Sequence, residues 1–143
     1  MATEALLVAA HDPADYKTPA SFEQFVEDLR AAARSEGEPI ISPRLFASAL
    51  SMDLQTLANL SHVHRITVSR APGAEKLQTF LRDAIRVLSA AADINGSLPD
   101  ALFWFRNEPI DVFGYENAEK LVSNGRAEDL LRYLRSLQAG FLG

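Results

Sequence analysis

The chain has 143 residues, of which 48% are hydrophobic and 23% charged, with 7 glycines and 7 prolines. This length and balance match one globular domain or two very small ones, and they exclude a fibrous, repeat or disordered protein. The cysteine count is 0, which excludes disulfide scaffolds, thiolate zinc sites and cysteine nucleophiles. A reducing cytoplasm is therefore the expected location.

The formal net charge is −5, which disfavours non-specific nucleic-acid binding because phosphate neutralisation needs lysine and arginine. The charges are unevenly spread. Residues 42–96 hold six basic and four acidic side chains, whereas residues 1–41 hold three and eight and residues 97–143 hold five and seven. Only the middle of the chain is basic. Near the N-terminus, an apolar stretch of about six residues follows Glu4 and is too short for a secretory or membrane-spanning segment, so we expect no membrane association.

The residues before Ser21 lack an apolar period and predict a mobile or loosely docked arm without fixed structure. From Ser21 the apolar residues recur at helical spacing, and Ser21 with Gln24 forms a capping box. We expect this first helix to end near Glu36 and Gly37.

The middle of the chain has the pattern of three further helices, the second to the fourth. Ser42 and Pro43 supply an N-cap and a first-turn proline for the second helix, and Asp53 caps the third. His62 breaks that helix, and a fourth follows over about 65–71.

The longest periodic run predicts a fifth helix over about 74–95, which Asn95 and Gly96 stop with a left-handed backbone. Three more helices are predicted over about 98–107, 115–123 and 126–139, and we expect the last to close at Gly140. No segment alternates with the two-residue period of a strand. The fold class is therefore predicted to be all-α.

The stretch from Leu57 to Arg70 has the pattern of a helix-turn-helix, with Ala58 small enough for close crossing and Val63, Ile66 and Val68 as packing residues. His62 occupies the turn position that glycine often fills. In such a unit the second helix faces the major groove, so the candidate DNA-binding residues are Arg65, Thr67, Ser69 and Arg70. A plain helical corner with solvated side chains is the alternative that the pattern leaves open.

We find no sequence signature of catalysis or of metal binding. His62 and His64 lie two residues apart in a turn without further ligands at metal spacing, and the chain has no HExxH, P-loop, GxGxxG or GxSxG sequence. Asp111 and Glu116 could meet, but two solvated carboxylates are the simpler interpretation. We therefore expect no enzyme, no metal and no cofactor.

The C-terminal end carries an apolar tail, Phe141, Leu142 and Gly143, whereas chain ends are normally polar. Either the protein's own core or a partner's groove would cover it, and the sequence leaves both open. Three arginines precede the tail and either pair with anionic groups of a partner or stay solvated. They are Arg126, Arg132 and Arg135.

Residues 45–143 resemble the Xre/MbcA/ParS-type antitoxins of type II toxin–antitoxin systems. The resemblance lies in the order of helix-turn-helix, long helix and a C-terminal block. That block comprises Ala101-Leu102-Phe103-Trp104-Phe105-Arg106-Asn107-Glu108-Pro109-Ile110, Phe113-Gly114, Leu121, Gly125 and Leu137-Gln138-Ala139-Gly140-Phe141. Where the family often has Gly-Gly-x-Thr-Pro, this chain has Gly114-Tyr115-Glu116-Asn117-Ala118.

The resemblance implies a cytoplasmic bacterial protein that neutralises a RES-domain toxin, an enzyme that consumes NAD by degrading it or by transferring its ADP-ribose. It implies a homodimer formed through an Xre-like helix-turn-helix and dimerisation domain over 42–96, possible binding of operator DNA to repress its own operon, and a small helical toxin-binding domain over 97–143. Residues 1–41 are then an arm and a helix. The toxin's active site would be occluded by Arg126, Arg132, Arg135, Phe141, Leu142 and Gly143. The alternative is a stand-alone helix-turn-helix transcriptional regulator.

Overall fold

The computed structural model describes residues 16–35 and 40–142, with the backbone alone at positions 35, 141 and 142. Within these residues the protein is all-α, as the sequence predicts, apart from one β-bridge between Ile110 and Glu116. A short 3-10 turn spans Asp111–Phe113. The α-helices, numbered in chain order, are α1 (Phe22–Ser35), α2 (Pro43–Ala49), α3 (Leu54–Ser61), α4 (Arg65–Arg70), α5 (Glu75–Asn95), α6 (Leu98–Asn107), α7 (Ala118–Ser123) and α8 (Ala127–Leu142).

Three of the helices begin at the capping residues that the sequence predicts. The side-chain oxygens of Ser21, Ser42 and Asp53 accept hydrogen bonds from the amide three residues on, at 3.0, 3.2 and 2.8 Å. Each bond satisfies an amide that has no partner inside its helix. The starts of α1, α2 and α3 are therefore set by local chemistry.

Left-handed residues end α3 and α5, also as predicted. His62 has φ 60° and Gly96 has φ 79°. Glycine adopts this conformation without steric cost, whereas histidine adopts it less readily because of its Cβ.

The predicted start of α7 at residue 115 is wrong by three residues. Tyr115 has φ 67°, which is incompatible with a right-handed helix. Its amide donates to the Ile110 carbonyl at 3.0 Å, and the Ile110 amide donates to the Glu116 carbonyl at 3.1 Å, which closes a tight loop. Asn117 then caps α7, its Oδ1 accepting from the Lys120 amide at 2.8 Å.

The predicted end of α8 at Gly140 is also wrong, because the helix continues to Leu142. Gly140 is not among the glycines with positive φ, so it does not form the left-handed stop that the sequence suggests. A glycine inside a helix costs only about 1 kcal/mol relative to alanine, which weakens a helix without ending it. The predicted tail is thus the last turn of α8 as far as Leu142, and Gly143 lies outside the described residues.

The described part of the N-terminal arm is docked, although it has no helix. Tyr16 is half-buried against the core, and its hydroxyl donates to the Asp28 carboxylate of α1 at 2.8 Å. Burial and the nearby Asp28 charge raise the pKa of Tyr16. The predicted absence of structure therefore does not extend to these residues; the rest of the arm, and the helix end near Glu36 and Gly37, lie outside the described residues.

The long helix α5 is the centre of the fold and contacts α1, α2, α3, α6, α7 and α8. The buried apolar residues form one cluster that includes Phe25, Leu57, Leu88, Phe105 and Leu130. All three predicted segments of the chain therefore share a core. No helix in the part of the chain that the structure describes has the length and apolar character needed to cross a membrane.

Candidate functional site

Helices α3 and α4 form the tight corner that the sequence predicts around His62. Ala58 is fully buried, Val68 is 1% exposed, and the Val63 amide donates to the Ala58 carbonyl at 3.0 Å. The prediction for Ile66 is wrong, because this side chain is 66% exposed. Helix α4 has six residues, and only one of its sides packs against α3. Val68 lies on that side, whereas Ile66 lies on the side that faces solvent.

Three of the predicted DNA-binding side chains, those of Arg65, Ser69 and Arg70, are exposed, and that of Thr67 is half-buried. The structure adds Arg44 from α2, whose Nη2 lies 3.5 Å from the Ser69 Oγ. The role of Arg44 was not predicted from the sequence, because 25 residues separate it from Ser69. The local sequence shows only that a charged residue follows the buried proline at the start of α2. We call Arg44, Arg65, Ser69 and Arg70 the α4 face.

The electrostatics of the α4 face are mainly but not wholly cationic. The Asp53 carboxylate has a lowered pKa, chiefly because the Thr56 amide donates to it and to a smaller extent because Arg106 and Arg65 are nearby. Arg65 of the α4 face is therefore close enough to Asp53 for the two charges to attract each other and partly cancel. Guanidinium groups exposed in this way can contact phosphates or the edges of guanine.

His62 ties this corner to the C-terminal part of the chain. Its Nε2 lies 2.8 Å from the Ser123 carbonyl oxygen, which can only accept, so Nε2 is the donor. The Ser123 hydroxyl donates to the Leu60 carbonyl at 2.6 Å. Because both groups are engaged with backbone carbonyls, the histidine is not placed to take a proton from this serine. The residues described contain no group of three or more His, Asp or Glu that could hold a metal ion.

Arg106 makes a second connection between the two parts of the chain. Its Nε donates to Glu119 Oε2 at 2.8 Å, and its Nη1 donates to the carbonyls of Leu50 and Ser51 at 3.0 and 3.2 Å. Asn117 Nδ2 donates to the Arg106 carbonyl at 2.8 Å. Burial raises the pKa of Glu119, and the Arg106 charge opposes that rise. These contacts hold the end of α6, the start of α7 and the loop before α3 in one arrangement.

Helix α8 is anchored at its N-terminal half and projects at its C-terminal half. Leu130 and Leu134 are buried, and the Glu128 carboxylate pairs with Arg86 of α5 at 2.7 Å. In contrast, all residues from Arg135 to Gly140 are exposed. The last turns of this helix therefore extend beyond the core.

The predicted toxin-binding arginines do not form a single cluster. Arg126 is held at the start of α8, with its Nε 3.2 Å from Asp129 Oδ2 and its guanidinium carbon 5.0 Å from the centre of the Phe113 ring. The Arg132 side chain is 78% exposed and lies 3.7 Å from the same carboxylate, and Arg135 is exposed without an ion pair to any described residue. At 100° per residue, Arg132 lies on the side of α8 opposite the buried Leu130 and Leu134, and Arg135 lies on the flank of the helix. The remaining predicted residues, Phe141, Leu142 and Gly143, have side chains outside the described part of the chain.

The loop between α6 and α7 presents apolar side chains to solvent, which sequence analysis did not predict. Val112 is 63% exposed and Tyr115 is 73% exposed. A bulky residue at positive φ is strained, and such strain collects at functional positions. The one hint of this loop in the sequence is that the chain departs, from Gly114 onward, from the pattern of the antitoxins that it resembles.

An open groove of about 440 Å³ lies where the C-terminal ends of α5 and α6 and the middle of α8 meet this loop. Its lining contains two carboxylates and, within the described chain, no lysine or arginine. Ile94 and Leu137 are 38% and 43% exposed there. We call this site the end groove; its principal lining residues are Ile94, Trp104, Glu108, Ile110, Asp111 and Leu137.

Comparison of the chain with protein-family models, with curated proteins and with solved structures finds no match in any of the three. The resemblance noted from the C-terminal block therefore stays a prediction.

Proposed function

We propose that this protein is the antitoxin of a type II toxin–antitoxin pair, and that it neutralises an NAD-consuming RES-domain toxin by placing the last turns of α8 in the toxin's active site. The observation that carries the proposal is the projection of α8, whose residues from Arg135 to Gly140 are all exposed. A helix that leaves its own core is suited to a groove on a partner.

The chemistry of the projecting helix fits a cleft that binds NAD. The C-terminal end of a helix has unpaired carbonyls and a partial negative charge. A site that holds the pyrophosphate of NAD presents amide or cationic donors, which such carbonyls can engage. Arg132 and Arg135 are exposed on α8 and can pair with carboxylates around the cleft. Inhibition is then steric, and this chain needs no catalytic group of its own.

The test uses the RES-domain protein that we expect the neighbouring gene to encode, co-expressed with this chain while cellular NAD is measured. The wild-type chain should preserve NAD. Deletion of residues 141–143, and separately the double variant Arg132→Glu/Arg135→Glu, should each allow NAD to fall, while far-UV circular dichroism keeps its helical signal.

The matched control is Arg30→Glu/Arg82→Glu, which reverses two exposed arginines on α1 and α5. It should protect NAD as well as the wild type does. If both α8 variants also protect NAD fully, α8 does not occlude the toxin and the proposal is wrong.

A second candidate function is transcriptional regulation through the α4 face, either alone or together with toxin neutralisation. The observation that favours it is the convergence of Arg44 on Ser69 beside Arg65 and Arg70. Three exposed arginines around one short helix provide the phosphate and base contacts that DNA recognition needs.

A further inference from the structure

Large apolar side chains are exposed in the end groove and on the loop that forms one of its walls. Ile94 and Leu137 lie in the groove, and Val112 and Tyr115 are displayed by the loop that forms one of its walls. Among the described residues, these are four of the six large apolar side chains that are most exposed. Exposed apolar side chains that line a groove mark a candidate site of interaction, whereas exposed apolar side chains scattered singly are normal.

The loop that displays this surface is held rigidly. The Phe113 and Tyr115 amides both donate to the Ile110 carbonyl at 3.0 Å, and the Val112 amide donates to Asp111 Oδ1 at 2.8 Å. The Phe113 ring packs edge-on against Tyr133 of α8, with centroids 5.7 Å apart. A surface that is ordered before binding loses less conformational entropy when a partner docks.

The charge of the end groove defines the chemistry of its occupant. Glu108 and Asp111 are exposed carboxylates in its lining, and no described cation of this chain lines it with them. Asp111 uses Oδ1 for the Val112 amide, and its second oxygen has no partner among the described residues. An occupant that covered these carboxylates with apolar groups alone would bury unpaired charge, which is costly. The occupant must therefore bring cations.

Neither a symmetric pair centred on the groove nor the N-terminal segment has the required charge. A two-fold pair whose axis passes through the groove brings Glu108 and Asp111 close to the same carboxylates of the partner. Residues 1–15 carry Glu4, Asp12 and Asp15 and no lysine or arginine. Both occupants would add negative charge to a negative site.

We propose that the end groove receives a segment of the partner toxin in which large apolar side chains are flanked by lysine or arginine, with Glu108 and Asp111 pairing those cations. The identity of the partner rests on the proposed function. The segment's apolar side chains pack between Ile94, Trp104 and Leu137. This contact lies on the Leu137 side of α8, so it is separate from Arg132 and Arg135, which lie on other sides of the helix.

Trp104 makes the groove directly observable, because it is the one tryptophan of the chain. The full-length protein labelled with 5-fluorotryptophan gives one fluorine resonance, and an unlabelled toxin contributes none. Addition of the purified RES-domain protein should shift or broaden that resonance with a saturable dependence on its concentration.

The charge argument is tested with Glu108→Gln/Asp111→Asn, which keeps the shape of both side chains and the acceptor for the Val112 amide. We expect this variant to bind the toxin at least about tenfold more weakly than the wild type and with a shallower dependence on salt. The matched control, Asp93→Asn/Glu116→Gln, removes two exposed carboxylates that do not line the groove and should bind as the wild type does.

Each other outcome contradicts the inference in a recognisable way. Toxin binding without a change at Trp104, or with equal affinity in the Glu108→Gln/Asp111→Asn variant, excludes the end groove and leaves the proposed function standing. Equal weakening in the control excludes a specific role of these two carboxylates. A shift at Trp104 that depends on the concentration of this chain alone identifies a second copy as the occupant. Failure of the wild-type chain to bind the toxin overturns the inference and the proposed function together.

Discussion

Arg106 joins the middle of the chain to its C-terminal part through three different carbonyl and carboxylate acceptors. Its contacts with Leu50 and Ser51 lie next to the start of α3, and its contact with Glu119 lies in α7. The Glu119 side chain is only 10% exposed, and its charge is compensated chiefly by this guanidinium and to a smaller extent by Lys120. Arg106 therefore holds the α6–α7 loop against the start of α3, and the His62 and Ser123 hydrogen bonds make a second connection to the α3–α4 corner.

The buried state of Glu119 predicts a pH dependence of stability. Because its pKa is raised in the folded protein, the folded state keeps the proton to a higher pH than the unfolded chain does. The resulting contribution favours folding below the unfolded pKa of about 4.3 and is lost as the pH rises through the folded pKa. Glu119→Gln removes this titration and keeps an oxygen that can accept from Arg106.

The measurement is urea unfolding of both proteins at pH 4 and pH 7. We expect the wild type to lose stability relative to Glu119→Gln as the pH rises, and the exposed substitution Glu116→Gln to leave the pH dependence as it is in the wild type. A stability difference between wild type and Glu119→Gln that is constant, or that grows in favour of the wild type with pH, contradicts the assignment.

At the scale of secondary structure, the two halves of α8 differ in burial: the first packs on the core and the second is exposed. The first half packs on α5 and α7, with Leu130 and Leu134 in the core. The second half continues through Gly140 without burial. Because packing contributes most of the stability of a helix in a protein, the projecting turns rely on intrinsic helix propensity and on the anchored half.

Gly140→Ala distinguishes a helical Gly140 from a left-handed one. A Cβ at this position meets nothing within 4 Å, so alanine should strengthen the last turns by up to about 1 kcal/mol. We expect more helical signal in far-UV circular dichroism and unchanged or higher thermal stability.

The control is Gly96→Ala, where φ is +79° and a Cβ also finds open space. This substitution should destabilise the protein by about 1 kcal/mol through backbone strain alone. If Gly140→Ala lost as much stability as Gly96→Ala, Gly140 would have a left-handed backbone and would end the helix.

At the scale of the whole molecule, one core carries two surfaces of opposite charge. The α4 face presents Arg44, Arg65 and Arg70, whereas the end groove presents Glu108 and Asp111. The net charge of −5 does not describe either surface, because screening limits the reach of distant charges to roughly 10 Å. The two proposed partners, DNA and the toxin, would therefore bind at separate places on this molecule.

Substitutions on the α4 face should affect DNA binding alone. Arg65→Ala and Arg70→Ala should each weaken binding to the protein's own promoter by about 1–3 kcal/mol where the arginine makes a bidentate base contact. Arg44→Ala should weaken binding to all sequences similarly and flatten the dependence on salt, as expected for a phosphate contact.

Fluorescence anisotropy with labelled promoter DNA at several salt concentrations measures both effects, and Arg82→Ala on α5 is the control. NAD protection against the toxin should be the same in all four variants. Unchanged DNA affinity in the three α4-face variants would leave these arginines as solvated side chains and remove the regulatory function.

The sequence predicts well those features that depend on neighbours along the chain. Ser21, Ser42 and Asp53 cap helices as expected because each bonds to an amide three residues away. It failed at Tyr115 and at Gly140. At Tyr115 the backbone is held left-handed by a hydrogen bond to Ile110, and at Gly140 an anchored helix continues through a residue that often ends one.

By itself, the sequence determined the all-α fold, the starts of α1, α2 and α3 and the left-handed turns at His62 and Gly96, since these follow from hydrogen bonds and steric preferences within a few residues. Only the tertiary structure decided which side chains share a surface. It placed Arg44 beside Ser69 and assembled the end groove from two helix ends, the middle of α8 and a loop, because such neighbours are brought together by packing against a common core over long separations in the chain.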